Sequence, residues 1–395
     1  MNTELENNIL TIVLDERIDS VNDQQIEAQL NDALRTASAA ALVLDATALT
    51  YISSAGLRVL LRLQHKTQEK IRILNVRPEV YDIFEVTGFI ELFEVRKKLR
   101  EVSVDGCKVI GHGASGTVYR LEEDKILKLY QPFRTQEEIE QERLLAREAV
   151  ISGIPSVITY DMVHCGDSYG IVFEMLHSDT LGNAFTRAPE RTEEFVDRYV
   201  DFVRQLHKIP LRSGVFPNLK TVLNGKVPAL SSCCSDEELA LLHSLIDSIP
   251  DRNTLVHGDL HPGNIMLQGD EFLLIDLPDV TVGSKVWDLI ALFRDLIIGP
   301  RNIPKVIEQS TGIPVDRVRS IGRSFFMKYF GVSDEESLQP YFRMLMPLFA
   351  LNSVLTSGDP TDPGHFVPTE IVKKMLREAI TPNEEMIRQA LQTLS

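Results

Sequence analysis

The chain has 395 residues, 44% hydrophobic and 25% charged, which is the composition of a globular protein long enough for two or three domains. Its formal net charge is −16, and the first 106 residues and the remainder are both acidic, so we expect no nucleic-acid partner. The four cysteines show no zinc-site spacing, which argues against a zinc site or a disulfide framework. Without a signal peptide or a long apolar run, the sequence predicts a cytoplasmic protein with no membrane segment. The oligomeric state is not predicted.

Strands and helices alternate over residues 1–104, which we take as the first domain. Apolar, partly β-branched runs predict strands, and apolar residues repeating every three to four positions predict helices. The expected strands are 9–14, 41–45 and 71–76, and the expected helices are 21–37 and 78–92. Residues 51–61 are expected to form a strand-to-helix junction with serines at the helix start. This alternation indicates an α/β unit in which helices cover a sheet.

Three stretches of this domain, 42–45, 51–61 and 85–89, resemble the STAS domain of anti-sigma factor antagonists. The resemblance implies that a partner kinase phosphorylates a serine at the strand-to-helix junction and so switches binding between protein partners. By position Ser54 is the closest match and Ser53 the second. A phosphate there would meet free N–H groups at the helix start and add about −1.5 to −2 charges.

The alternative role for these serines is to cap the helix, for which serine is a preferred residue. The sequence also departs from antagonists with Asp-Ser-Ser or Asp-Ser-Thr before the glycine. Ser53 stands at the acidic position and Ala55 precedes Gly56. Both the phosphorylation and the capping interpretations therefore stay open.

A glycine-rich pattern begins the second domain, with Gly111, Gly113, Gly116 and Val118 in G-x-G-x-x-G-x-V spacing. Taken alone, the glycines also fit a dinucleotide fingerprint. A dinucleotide-binding turn leads into a helix, whereas residues 117–121 are β-branched and alternating. We therefore predict the phosphate-covering hairpin of a kinase-like fold.

Lys128 follows on an apolar strand, from which a lysine can reach the α- and β-phosphates of ATP. An outward-facing lysine on an edge strand is the alternative. The next helix begins at a Thr135 capping box and offers Glu142 as a partner for the lysine, with Glu148 as the competitor.

The strand at 169–176 leads into the expected adenine-binding hinge, where Glu174 and Met175 would offer backbone groups to ATP. This prediction rests on position along the chain, because residues of any type can supply backbone groups.

Residues 255–267 form a polar loop between two apolar runs. Asp259 and Asn264 have the D-x-x-x-x-N spacing in which the Asp accepts the proton of a substrate hydroxyl and the Asn holds Mg²⁺. Asp276 ends the next apolar run as a second candidate metal ligand. In isolation, the spacing also fits a surface turn whose side chains cap the backbone.

The sequence His-Gly-Asp-Leu-His-Pro-Gly-Asn at 257–264 resembles that of aminoglycoside phosphotransferases and choline kinases more than that of protein kinases, which have His-Arg-Asp. The resemblance covers roughly residues 107–300. It implies a two-lobed fold, with an N-lobe at 105–176 and a helical C-lobe at 177–395. The roles it implies are base for Asp259, metal ligands for Asn264 and Asp276, phosphate anchor for Lys128 and loop support for Asp288.

A proline and two histidines lie close to the candidate site residues. Pro278 stands close after Asp276 and restricts the backbone there, although the carboxylate itself is kept. His257 and His261 flank the candidate base, and histidines at such positions more often fix backbone geometry than transfer protons.

We therefore predict an α/β and α+β multidomain protein in which a STAS-like module precedes an ATP- and Mg²⁺-dependent phosphotransferase. The hydroxyl acceptor would be a STAS-type serine or an anti-sigma-type partner protein in partner-switching signalling. Two alternatives remain: a small-molecule kinase whose STAS domain dimerises or senses, and a nucleotide-binding scaffold without activity.

Overall fold

The computed structural model describes residues 1–6, 8–37, 41–113, 116–211, 214–357 and 367–395. The chain separates into two compact units, Met1–Val102 and Ser103–Ser395. Within the described ranges, no helix combines the length and apolar character needed to traverse a lipid bilayer.

The first unit is a sheet with helices packed on it. Its strands are β1 (Thr3–Glu6), β2 (Ile9–Val13), β3 (Arg17–Ile18), β4 (Ala41–Asp45), β5 (Tyr51–Ile52), β6 (Arg72–Val76), β7 (Glu94–Lys97) and the short β8 (Arg100–Glu101). Its helices are α1 (Asp23–Thr36), α2 (Ser54–Gln64) and α3 (Pro78–Val86). The main sheet has the order β1-β2-β4-β6-β7, parallel except for β1, and β3 pairs with β5 in a separate two-stranded sheet.

The core of this unit consists of the apolar positions that the alternating pattern predicts, including Ile12, Leu44 and Ile73 on the central strands. The third predicted helix is shorter than expected. It ends at Val86, because Gly88 adopts a φ of 75° and turns the chain into a short 3-10 segment.

The second unit begins with a sheet and continues as helices. Its first strands are β9 (Lys108–Gly113), β10 (Gly116–Arg120), β11 (Lys125–Tyr130), β12 (Thr159–Cys165) and β13 (Ser168–Glu174), and α4 (Gln136–Ile151) lies between β11 and β12 in the chain. These strands are antiparallel and lie in the order β12-β13-β11-β10-β9.

The remainder is mainly helical, with small strand pairs around the predicted loop. The strands are β14 (Asp179–Thr180), β15 (Thr254–Val256), β16 (Ile265–Gln268), β17 (Glu271–Leu274) and β18 (Thr281–Gly283). The helices are α5 (Leu181–Arg187), α6 (Thr192–Leu206), α7 (Leu219–Lys226), α8 (Asp236–Asp247), α9 (Val286–Phe293), α10 (Gly299–Asn302), α11 (Pro304–Thr311), α12 (Val315–Phe330), α13 (Glu335–Thr356), α14 (Thr369–Met375) and α15 (Glu384–Leu394). The predicted fold class, a helix-covered sheet followed by a sheet lobe and a helical lobe, is confirmed.

Candidate active site

The glycine-rich segment spans two antiparallel strands that pair with each other. Gly111 pairs with Val118 and Gly113 with Gly116 across β9 and β10. The chain returns into a strand after Gly116, as the kinase-like interpretation predicts and the dinucleotide interpretation does not. Residues 114 and 115, within the predicted loop, lie outside the described residues.

Lys128 lies on a central strand, since β11 is paired with Val118 of β10 on one side and Ile171 of β13 on the other. The edge-strand alternative for this lysine is therefore wrong. Its Nζ donates to Glu142 Oε1 at 2.9 Å and to Asp276 Oδ1 at 2.6 Å. One ammonium thus joins the sheet, helix α4 and the segment after β17.

Glu142, and not Glu148, is the glutamate that meets the lysine. It is 4% exposed, and its Oε1 also accepts a hydrogen bond of 2.5 Å from the hydroxyl of Tyr130. Sequence reasoning missed Tyr130. Because side chains two positions apart on a strand share a face, its spacing from Lys128 was the available signal.

The opposite charges of Lys128 and Asp276 stabilise each other's ionised form. Burial alone would lower the pKa of Lys128, but the negative charges of Asp276 and Glu142 raise it above its usual range. Burial would raise the pKa of Asp276, yet the charge and hydrogen bond of Lys128 lower it overall. Lys128 and Asp276 are therefore both ionised at neutral pH.

The predicted loop lies between β15 and β16 and closes with a 3-10 turn at Pro262–Asn264. The amide Nδ2 of Asn264 donates to Asp259 O at 2.9 Å and to Asp259 Oδ2 at 3.1 Å. The five-residue spacing therefore brings the candidate base and the candidate metal ligand into direct contact. Asn264 is buried, which fixes its side chain.

Arg294 is a site residue that sequence reasoning missed. Its NH2 group donates to Asp259 Oδ1 at 2.7 Å, and its guanidinium also bonds both carboxylate oxygens of Asp295, at 2.7 and 2.9 Å. It begins a π-helical turn, Arg294–Ile298, that interrupts the helix after α9. Such turns are frequent at functional sites. An arginine and an aspartate within an apolar helical run were the signal in the sequence.

Asp259 is held as a carboxylate. Burial would raise its pKa, but the hydrogen bond and charge of His261, with the charge of Arg294, lower the pKa well below its usual range. Burial lowers the pKa of His261 and Asp259 raises it, with a net increase. His261 Nδ1 accepts from Gly263 N at 3.1 Å, which matches the backbone role expected for the loop histidines.

The Asp288 side chain holds the start of the loop through the loop's backbone N–H groups. This confirms the support role implied by the resemblance. Its carboxylate accepts from His257 N at 3.1 Å and from Gly258 N at 2.8 Å, and His207 Nε2 lies 3.0 Å from it. His207 and Asp288 are both buried. His207, at the end of helix α6, was also missed, because its partner is far away in sequence.

The conformation of Gly258 disfavours the arginine that protein kinases have at this position. Its φ is 86°, and a Cβ there would lie 3.1 Å from Asp279 Cβ. Any side chain would meet both backbone strain and crowding.

The segment after β17 is strained at the metal-ligand candidate. Asp276 adopts a φ of 62°, which is uncommon for a residue with a side chain. The backbone restriction predicted from Pro278 thus occurs two residues after Asp276, whose backbone is in the left-handed conformation. Strain of this kind clusters at functional sites.

At the hinge, the backbone N–H groups of Glu174 and Met175 are both engaged within the protein. Glu174 N donates to Ile158 O at 3.0 Å, and Met175 N donates to Asp124 O at 2.8 Å. Of the two kinds of backbone group expected to meet an adenine, the donors are already bound within the protein.

The oxygen atoms at the site fit a magnesium ion. Asn264 uses its Nδ2 for both bonds to Asp259, which leaves Oδ1 for a metal, and Asp276 bonds Lys128 through Oδ1, which leaves Oδ2. Mg²⁺ prefers oxygen ligands and usually takes few from the protein and the rest from phosphates and water. Among the described residues, no group of three or more His, Cys, Asp or Glu side chains could hold a metal by itself.

In the first unit, the two candidate phosphoacceptors have different environments. Ser53 is the N-cap of α2, and its Oγ accepts from Ala55 N at 3.2 Å and Gly56 N at 3.4 Å. Ser54 is the first residue of the helix and is exposed. The capping interpretation therefore holds for Ser53 and leaves the hydroxyl of Ser54 accessible.

Comparisons with known proteins agree with this architecture. The model of the phosphotransferase enzyme family (APH) matches residues 106–304, and that of the STAS domain matches residues 1–102. The chain belongs to the phosphotransferase enzyme family and carries a STAS domain before the phosphotransferase domain.

Individual relatives match each part. The "Putative anti-sigma factor antagonist BtrV" of Bordetella bronchiseptica is 36% identical over 81 residues, which are 20% of this chain and 69% of BtrV. A choline/ethanolamine kinase family protein from Mesorhizobium loti is 15% identical, with 73% of this chain and 92% of that chain covered and a TM-score of 0.43. The gentamicin complex of APH(2")-IIa is 16% identical, with 80% and 99% covered and a TM-score of 0.44.

Proposed function

We propose that the second unit transfers the γ-phosphoryl group of ATP, with Mg²⁺, to a hydroxyl group, and that the STAS domain links this reaction to partner-switching signalling. One observation carries the proposal. Lys128 and Asp276, 148 positions apart, meet at 2.6 Å, as expected of a phosphate anchor beside a metal ligand. The chain's membership of a phosphotransferase family supports the reaction class.

Each residue has a role that follows from its contacts. Asp259, ionised and fixed by Asn264 and Arg294, accepts the hydroxyl proton as the new oxygen–phosphorus bond forms and the bond to the bridging oxygen of ATP breaks. Lys128, fixed by Glu142, places its positive charge beside the α- and β-phosphates. Asn264 and Asp276 would hold Mg²⁺, which neutralises phosphate charge when bound.

The glycine-rich hairpin of Gly111, Gly113, Gly116 and Val118 would cover the phosphates in this proposal. Glu174 and Met175 would contact the adenine through backbone groups.

Ser54 is the proposed acceptor within the STAS domain. It is exposed at the first turn of α2, where a phosphate would meet free N–H groups, and the STAS domain has a relative named as an anti-sigma factor antagonist. An anti-sigma-type protein is the partner that such a modification would gain or lose.

Mass spectrometry of the full chain after incubation with Mg-ATP tests both the proposed phosphoryl transfer and the proposed acceptor, Ser54. We expect one phosphate on Ser54 in the wild type, none in Ser54→Ala, and none in Asp259→Asn. Ser53→Asn, which keeps a capping side chain but removes the second candidate hydroxyl, should retain the phosphate. Phosphate in Asp259→Asn equal to the wild type would contradict the role of Asp259.

A small-molecule kinase is the second candidate, favoured by Gly258. The backbone there disfavours the arginine of protein kinases, and the loop sequence resembles that of aminoglycoside phosphotransferases and choline kinases. ADP release that depends on a small alcohol or an aminoglycoside, with Ser54 unmodified, would select this reading. ATP binding without turnover, unchanged by Asp259→Ala, would instead select the scaffold.

A further inference from the structure

Three arginines gather where helix α10 packs against helix α12. Arg319 and Arg323 are four residues apart on α12 and so share one face. Arg301 lies on α10, directly after the π-helical turn that Arg294 begins. The three side chains concentrate positive charge in a chain whose net charge is −16.

The backbones come close at this point because α12 has a glycine there. A Cβ on Gly322 would lie 2.6 Å from Leu296 Cβ and 2.8 Å from Leu296 O, so only glycine allows α12 to approach the π-helical turn. Helix α10 follows this turn directly and also packs against α12.

The cluster has too few negative partners. Arg323 forms an ion pair with Glu335. Arg301 and Arg319 have no ion pair or hydrogen bond among the described residues, and Nε of Arg319 is buried without a partner there. A buried donor that is left unsatisfied lowers the stability of the folded protein, and more so when it is charged.

Electrostatics within the cluster agree with this geometry. Partial burial, together with the positive charges of Arg301 and Arg323, lowers the pKa of Arg319, and Glu335 only partly offsets them. The like charges repel one another unless an anion lies between them.

We infer that Arg301, Arg319 and Arg323 form a binding site for a phosphate group, outside the proposed active site. Guanidinium groups match the geometry of phosphate oxygens and bind them with paired hydrogen bonds. The phosphate could be free or could be carried by a phosphorylated serine, and the chemistry of recognition is the same. The inference does not depend on the proposed function.

Isothermal titration calorimetry with inorganic phosphate, in a chloride buffer without nucleotide, tests the site on the full chain. We expect Arg319→Met and Arg301→Met each to weaken binding at least tenfold, and Arg319→Lys to weaken it less. Arg317→Met is the matched control, because this arginine of α12 bonds Phe185 O and Thr192 Oγ1 instead. It should bind phosphate like the wild type.

Lys128→Met separates this site from the proposed nucleotide site and should leave phosphate binding unchanged. If Lys128→Met abolishes binding while Arg319→Met does not, the phosphate lies at the nucleotide site and the inference is wrong. Unchanged binding in both Arg319→Met and Arg301→Met would also overturn it.

Thermal unfolding gives a second readout, and the comparison without phosphate does not depend on binding. Since Arg319→Met removes an unpaired charge, we expect its Tm without phosphate to equal or exceed that of the wild type, and phosphate to raise the Tm of the wild type alone. A lower Tm in the variant, with no effect of phosphate on either protein, would contradict the inference.

A phosphoserine peptide distinguishes the two sources of phosphate. Binding that depends on Arg319 and is at least tenfold tighter than that of inorganic phosphate would identify a phosphorylated protein segment. Equal affinity would identify free phosphate.

Discussion

Arg294 shows how one side chain can fix the charge state of a site. It lies between the carboxylates of Asp259 and Asp295, and Asp295 is buried. Without it Asp295 would lose its ion-pair partner and Asp259 would keep only His261 and Asn264, because removal of one partner from a buried ion pair leaves a charge unpaired.

Replacement of Arg294 should therefore destabilise the second unit. We expect Arg294→Met to lower the free energy of unfolding by about 3 kcal/mol, the lower end of the range for a broken buried pair, because the Arg294 side chain is partly exposed. The double variant Arg294→Met/Asp295→Asn should recover part of this loss, because Asp295 then no longer carries a charge. Urea unfolding of the single and double variants measures the coupling, and strictly additive effects would contradict it.

The sequence predicted those site residues that belong to a spaced motif. Lys128, Glu142, Asp259 and Asn264 lie in contact with the partners that the pattern implied. Tyr130, His207 and Arg294 were not found. Their partners are distant in sequence or on another element, and only the packing of helices and strands brings them together.

Helix α2 connects local structure with the proposed signalling role. Its N-cap is Ser53, while Ser54 is exposed in the first turn and Arg58 lies one turn further on. A phosphate on Ser54 would sit four residues before Arg58, a spacing at which opposite charges on a helix attract. The same helix is therefore capped by one serine and exposes the other, the proposed phosphoacceptor, to solvent.

The two serines should differ in their effect on stability. We expect Ser53→Ala to destabilise the first unit by about 1 kcal/mol through loss of the cap, and Ser53→Asn to cost much less. Ser54→Ala should change stability by less than about 0.5 kcal/mol, as for an ordinary surface substitution. Thermal unfolding of the three variants measures this, and equal losses for Ser53→Ala and Ser54→Ala would show that Ser53 is not the effective cap.

Element types were predicted better than element ends. The strand at Lys125–Tyr130 agrees with its apolar pattern, whereas α3 stops at Val86 although apolar residues continue to 92. Periodicity reports which face is buried, and it does not report the left-handed turn at Gly88 that ends the helix.

At the scale of the whole molecule, two units with separate cores predict two unfolding transitions in calorimetry. A ligand that binds only the native state stabilises it by about 2.7 kcal/mol at a concentration of 100 Kd. We therefore expect Mg-ATP to raise the transition of the second unit and leave that of the STAS domain unchanged. Lys128→Met should abolish the shift, and an undiminished shift in that variant would show that ATP binds elsewhere.

The hydrogen bonds that the backbone N–H groups of His257 and Gly258 donate to Asp288 affect the order of folding steps. The loop is positioned only when the helix that carries Asp288 has docked, and Lys128 meets Asp276 across 148 positions of chain. Contacts of such sequence separation form late, since the chain entropy of closing the long loop opposes them. During refolding, nucleotide binding should therefore recover after most helical signal has returned, so that competence to bind ATP reports the last step of assembly.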